Sequence, residues 1–222
     1  MMLSRERMIL VSMVHYKVPY SEASAEFVEK KSRFIGHIFK VTSAQQATEI
    51  IKQMQKKYWD ASCNAYGYIV EEGRVMRFSD AGEPQGTAGM PILEMLKKEE
   101  LYDVLCIVTR YFGGVKLGAS GLTRAYGHGA KIALEAAGIA QMQPFRFASV
   151  PCPYALLETV RSLLPDFEVE ETHAEYAADV CLTLCMPDER FEEFNAKLVD
   201  VTAGRVHAEP GKIELFAKKI TP

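Results

Sequence analysis

Two glycine-rich stretches, FSDAGEPQGTAG at 78–89 and GGVKLGASGLTRAYGHG at 113–129, constrain the fold more than anything else in this chain. Each follows strand-like sequence and leads into helical sequence. That arrangement lets backbone N–H groups and a helix dipole cradle an anion. Between them VLCIVTRYF at 104–112 is a short apolar run, which reads as a buried strand ending in Arg110. Two strand–loop–helix passages in close succession require a mixed α+β unit and place a candidate site at the two loops.

The flanking sequence supplies the other elements. Residues 23–41 read as two strands meeting around Glu29–Ser32. Residues 43–58 read as a helix capped by Ser43, with Ala47, Ile50, Ile51 and Met54 as its apolar stripe and Lys56 and Lys57 at its C-terminus. Strands are expected at 63–70 and 74–79 around the turn Glu71-Glu72-Gly73. Thr87 is expected to cap a helix running to Lys98 with Pro91 in its first turn, and a longer helix begins near Ala119 or Ser120 and stops at Gly138.

Composition shifts around Pro144. Residues 1–143 carry 18 lysines and arginines against 15 acids, while residues 144–222 carry 8 against 14. A basic first half and an acidic second half point to different partners. The second half reads as a strand (145–152), a helix (153–164), strands at 167–174 and 178–185, a helix (188–201), and strands at 204–209 and 212–217. This is the β-α-β-β-α-β order of a ferredoxin-like domain. The expected division is a mobile tail over 1–15, a first domain over 16–142 and a second over 145–219. In the tail two arginines precede an apolar stretch too short for a signal peptide's core, and Met8 and Met13 are other candidate starts. Five cysteines at irregular spacing argue against a disulfide framework, since Cys181 and Cys185 on one strand face would sit roughly 13 Å apart. A cytoplasmic protein is expected.

The loops exclude some chemistry. Gly113 and Gly118 have P-loop spacing, but Ala119 stands where the phosphate-binding lysine must be, so a Walker A site is excluded. Asp80 and Glu83 offer two carboxylates, as metal or base groups of a phosphotransferase-like enzyme or as ordinary groups at a helix N-terminus. The five histidines form no metal-binding spacing, and no metal, cofactor or catalytic residue is expected. On the second helix Ser120, Arg124, Gly127/His128 and Lys131 share a face, while Leu122, Ala125, Ala133 and Ala136 lie toward the core. With Lys30, Lys31, Arg33, Arg110 and Lys116 they make a basic surface suited to RNA phosphates or an acidic protein. Gly82, Gly86, Thr87, Gly113, Gly114, Gly118 and Gly121 are expected to shape the loops.

The segments KKSRFI (30–35), DAGEPQGTAGMP (80–91) and VTRYFGGVKLGASGLTRAYG (108–127), with WDAS (59–62) as a weaker fourth, closely resemble the YigZ/IMPACT family. The resemblance implies a first domain with the fold shared by a ribosomal-protein domain and the GHMP kinases, and a ferredoxin-like second domain. Eukaryotic relatives regulate translation by binding a ribosome-associated activator and restraining a stress kinase, but they carry a different partner domain. Relatives continue from the WDAS-like segment with His-Asn-Cys, where this chain has Cys63-Asn64-Ala65. The expectation is a non-enzymatic protein bound to RNA, the ribosome or translation factors through Lys30, Lys31, Arg33, Arg110, Lys116, Arg124 and Lys131. The alternatives are the phosphotransferase-like enzyme and a protein–protein adaptor using the acidic half.

Overall fold

The alternation of apolar side chains along residues 104–108 has a direct structural outcome. In the computed structural model, which describes residues 16–71 and 73–220, the strand β6 (Val104–Tyr111) is the centre of a five-stranded sheet and is buried on both faces. Its neighbours are β3 (Ser32–Lys40) and β4 (Cys63–Val70), with β2 (Ala23–Glu29) and β5 (Val75–Ser79) at the edges, and every pairing is antiparallel. Val104, Cys106 and Val108 face one apolar core and Leu105 and Ile107 the other, as a period of two demands.

Each face is covered by helix. On one side lies α1 (Ala44–Lys57), which sets Ala47, Ile51 and Met54 against Tyr68, Val70, Leu105 and Ile107. The Ser43 hydroxyl accepts a hydrogen bond from the Gln46 amide at 3.2 Å, so the expected cap is present. On the other side α2 (Gly89–Lys98) and α3 (Ala119–Ala137) contribute Ile92, Leu96, Leu122, Tyr126, Ala130 and Ala133. Ala136, expected on that core face, is exposed. Gly36 lets α3 approach the sheet, because a Cβ there would lie 2.1 Å from the Gly129 carbonyl oxygen.

Residues 16–142 together with 217–220 form one compact unit, which also contains the short strand β1 (Lys17–Pro19) paired with residues 139–141. Residues 143–216 form a second. There β7 (Ile139–Cys152) is followed by α4 (Leu157–Leu163), β8 (Glu170–Tyr176), β9 (Val180–Pro187), α5 (Phe191–Val201) and β10 (Glu209–Lys219). β9 lies between β7 and β8, and β10 pairs with β7. Val150, Leu182 and Leu184 pack against Val160, Phe194 and Leu198 to form a separate core.

Three expectations are corrected. The strand expected at 204–209 does not form: residues 202–208 turn around Thr202, whose hydroxyl accepts from the Val206 amide and donates to the Leu198 carbonyl. One strand then runs through Pro210 and Gly211 without a break. Thr87 does not cap α2, since its hydroxyl donates to the Pro84 carbonyl at 2.7 Å and the N-cap position belongs to Ala88. The helix expected over 153–164 is α only over Leu157–Leu163, with 3-10 turns on both sides. The tail expected over 1–15 lies outside the described residues, and among those described no helix is long and apolar enough to cross a membrane.

Candidate functional site

The two glycine loops meet at a pair of buried charges. Period-two alternation carries Arg110 onto the same face of β6 as Val104, Cys106 and Val108, so its guanidinium points into the core-facing layer. There it meets Glu83 from the first loop: Arg110 Nη1 donates to Glu83 Oε1 at 2.6 Å, with side-chain exposures of only 8% and 10%. The fully buried Tyr126 of α3 donates its hydroxyl to the same oxygen at 2.8 Å. Arg110 Nη2 donates to Ser32 Oγ at 3.4 Å, and the guanidinium lies 5.5 Å from the Phe34 ring centroid and 5.3 Å from that of Phe112. Arg110 is therefore a buried cation already neutralised by Glu83. Buried and paired, it is left out of the surface proposed below.

Asp80 fills the first loop from within. Its Oδ2 accepts from the Gly86 amide at 2.8 Å, and its Oδ1 accepts from the amides of Ala88 and Gly89 at 2.9 and 2.8 Å. Desolvation would raise this carboxyl, but the amides of Gly86, Ala88, Gly89 and Met90 together outweigh it and hold the group below its ordinary range. The anion cradled at the start of α2 is thus the chain's own carboxylate. Asp80 is engaged by three loop amides, and Glu83 Oε1 by Arg110 and Tyr126. Cys63 is buried and donates to the Asp80 carbonyl at 3.3 Å. Burial pushes its thiol up despite a hydrogen bond with Tyr126, and so disfavours the thiolate.

The second loop organises a surface. Lys30 and Lys31 form the tip of the β2–β3 hairpin, both exposed, with φ of 45° and 66°. Two positive φ angles in a two-residue hairpin loop give the turn whose twist matches its strands. Gly113 packs directly on that tip: a Cβ there would lie 2.0 Å from the carbonyl carbon of Lys31, and its amide donates to Ser32 Oγ at 3.2 Å. The backbone of the hairpin tip is thereby held beside the second glycine loop. Gly82, Gly86, Gly114 and Gly118 all have positive φ with open space around them, whereas Gly121 sits against Leu117.

The other expected cations divide. Lys116 and Arg124 are exposed. Arg33 is exposed but paired with Glu26 at 2.5 Å, and Lys131 lies 3.8 Å from Glu135 one helical turn away. The structure joins Lys30 and Lys31 to the glycine loop and buries Arg110 beneath it. Lys131 sits toward the far end of α3.

Comparison with known proteins accords with this division into two regions. The family profile described as Impact N-terminal domain matches residues 30–134, and one described as a domain of unknown function (DUF1949) matches 150–205. The chain is 34% identical over 212 residues to the IMPACT family member YvyE of Bacillus subtilis, covering 94% of this chain and 97% of that protein. It is 31% identical over 178 residues to YigZ of Escherichia coli, covering 79% and 87%. A solved structure described as that of a hypothetical protein superposes with a TM-score of 0.56 at 28% identity, covering 89% of this chain and 98% of that one.

Proposed function

The chain belongs to the IMPACT family, and we propose that it binds RNA or the ribosome without enzymatic turnover, as a cytoplasmic regulator of translation, through the basic surface of its first unit. The observation that carries this reading is the clamped hairpin tip. Lys30 and Lys31 are exposed and adjacent, at a tip whose backbone packs against Gly113. A turn whose backbone is already set loses less conformational entropy on meeting phosphates than a free loop would. Lys116 and Arg124, on the second loop and the helix that follows it, extend the positive surface. The internal pairing of Asp80 and Glu83 also favours a binding role over the phosphotransferase alternative.

In this reading residues 16–142 are an IMPACT-type domain of the ribosomal-protein and GHMP-kinase type, and residues 145–219 a ferredoxin-like one. The strand order β10-β7-β9-β8 supports the latter assignment. The test is anisotropy of labelled RNAs of unrelated sequence, together with sedimentation on purified ribosomal subunits. Lys30→Glu/Lys31→Glu should weaken binding to all of them alike, because phosphate contacts carry no sequence information. Lys97→Glu/Lys98→Glu, at the far end of α2, should leave binding nearly unchanged. Equal effects of the two pairs would refer binding to net charge and remove the hairpin from the interface.

A further inference from the structure

The sole tryptophan of the chain is 81% exposed. Tryptophan is highly buried on average, which makes one this exposed a candidate contact for a ligand. Trp59 lies in a pinned turn: the Ala61 amide donates to the Tyr58 carbonyl at 3.1 Å, and the Asn64 side chain donates to the same oxygen at 3.2 Å. The next residue, Asp60, accepts from the Tyr111 hydroxyl at 2.9 Å, which ties this turn to the end of β6. Directly after Tyr111 comes Phe112, 48% exposed, with the Arg110 guanidinium against its ring and its amide donating to Ser62 Oγ at 3.0 Å. Two residues with exposed aromatic rings, Trp59 and Phe112, thus adjoin in sequence the two partners of one hydrogen bond at one end of the sheet.

The charges around them are mixed but mostly positive. Lys56 and Lys57 end α1 just before Trp59, and Arg33 stands opposite Tyr111 in the β3–β6 register, beside the Lys30–Lys31 tip. Among the acids here, Asp60 is engaged by Tyr111 and Glu26 by Arg33, while Glu29 is exposed beside the lysine tip. Exposed aromatic faces among cations suit unpaired nucleotides, whose bases stack on the rings while lysines follow the backbone. A duplex keeps its bases stacked on one another and offers only phosphates. We infer that Trp59 and Phe112 form a base-stacking platform, and that the ligand of this surface is single-stranded RNA. This rests on the RNA-binding reading and names the form of RNA it takes.

The emission of Trp59 reads the platform directly, with the full chain titrated by an oligouridylate and by a blunt RNA duplex of equal length. The oligouridylate should quench the emission and bind more tightly than the duplex. Trp59→Ala and Phe112→Ala should each weaken single-strand binding by about 5- to 150-fold, the range expected for a lost base–aromatic stack. Trp59→Phe should retain most of the affinity. Thermal melts of the exposed-site variants should match the parent, separating loss of contact from loss of fold. Salt-sensitive RNA binding that depends on Lys30 and Lys31 but leaves Trp59 unquenched and Trp59→Ala unimpaired overturns the platform and spares the RNA reading. Equal affinity for the duplex, or equal quenching by polyglutamate, also overturns it. Absence of any RNA binding removes both proposals.

Discussion

Replacing Glu83 with alanine leaves the Arg110 guanidinium buried without its counter-charge and takes away the carboxylate oxygen to which the Tyr126 hydroxyl donates. The two ionic side chains are 8% and 10% exposed, so solvent compensates little for the loss. Breaking one side of such a buried pair costs about 3–5 kcal/mol, against about 0–1 kcal/mol for an exposed pair. With a urea dependence of roughly 1–3 kcal/mol per molar, the unfolding midpoint of the first unit should fall by at least about 1 M. Hydrogen exchange of β6 and α3 amides across a urea series reads this unit separately from residues 143–216. The double variant Glu83→Leu/Arg110→Met should recover most of the loss, because apolar replacement of both partners removes the stranded charge. A fall below about 0.5 M for Glu83→Ala, or a double variant no better than the single, would refute the assignment of Arg110 as a buried structural cation.

Two further outcomes follow from the packing. His37 is 3% exposed, its Nδ1 pairs with Ser24 Oγ at 2.6 Å and its Nε2 is buried without a partner. Burial, with the Lys57 charge adding to it, lowers its pKa from 6.5 to about 4. The unfolded chain therefore binds the extra proton first: stability is complete above pH 6.5 and declines as pH falls toward 4, by up to about 3 kcal/mol. Urea midpoints at pH 7.5 and pH 5 should show that decline in the parent and a flatter profile in His37→Gln; parallel profiles would remove His37 as the cause. Gly113→Ala places a methyl 2.0 Å from the Lys31 carbonyl, so the hairpin tip must shift. It should cost about 1–3 kcal/mol in stability and lower RNA affinity as the lysine substitutions do, whereas unchanged affinity in a folded variant would show that the clamp is not needed.

The helices and the central strand were legible because their signals are local. Ser43 and its Gln46 partner, the stripe Ala47-Ile51-Met54 and the apolar run before Arg110 all lie within a few residues of the structure they specify. What escaped depends on residues distant in sequence. Arg110 at the end of an apolar strand looked like a surface cation, yet counting in twos from Val104 through Cys106 and Val108 places it on a buried face. Its partner Glu83 lies 27 residues earlier, a pairing that no periodicity encodes. The capping of α2 by Asp80 instead of Thr87 was hidden for the same reason, since the loop folds back across eight residues to reach the Ala88 amide. Pro210-Gly211 looked like a break between strands. In the sheet Pro210 is the second residue of β10, a position near a strand's start where proline is tolerated, and Gly211 lets the strand pass close to the Phe147 carbonyl, 2.8 Å from where a Cβ would be. Trp59 was read only as part of a motif, because exposure is a property of the folded surface.

The most direct test of the central claim is the dependence of RNA affinity on salt. For single-stranded RNA each phosphate contact contributes about 0.7 to the slope of log affinity against log salt. The parent should show a steep negative slope, and Lys30→Ala/Lys31→Ala should make it shallower by about 1.4 while the protein remains folded. A parent slope near zero, or a slope unchanged in the double variant, would contradict the account.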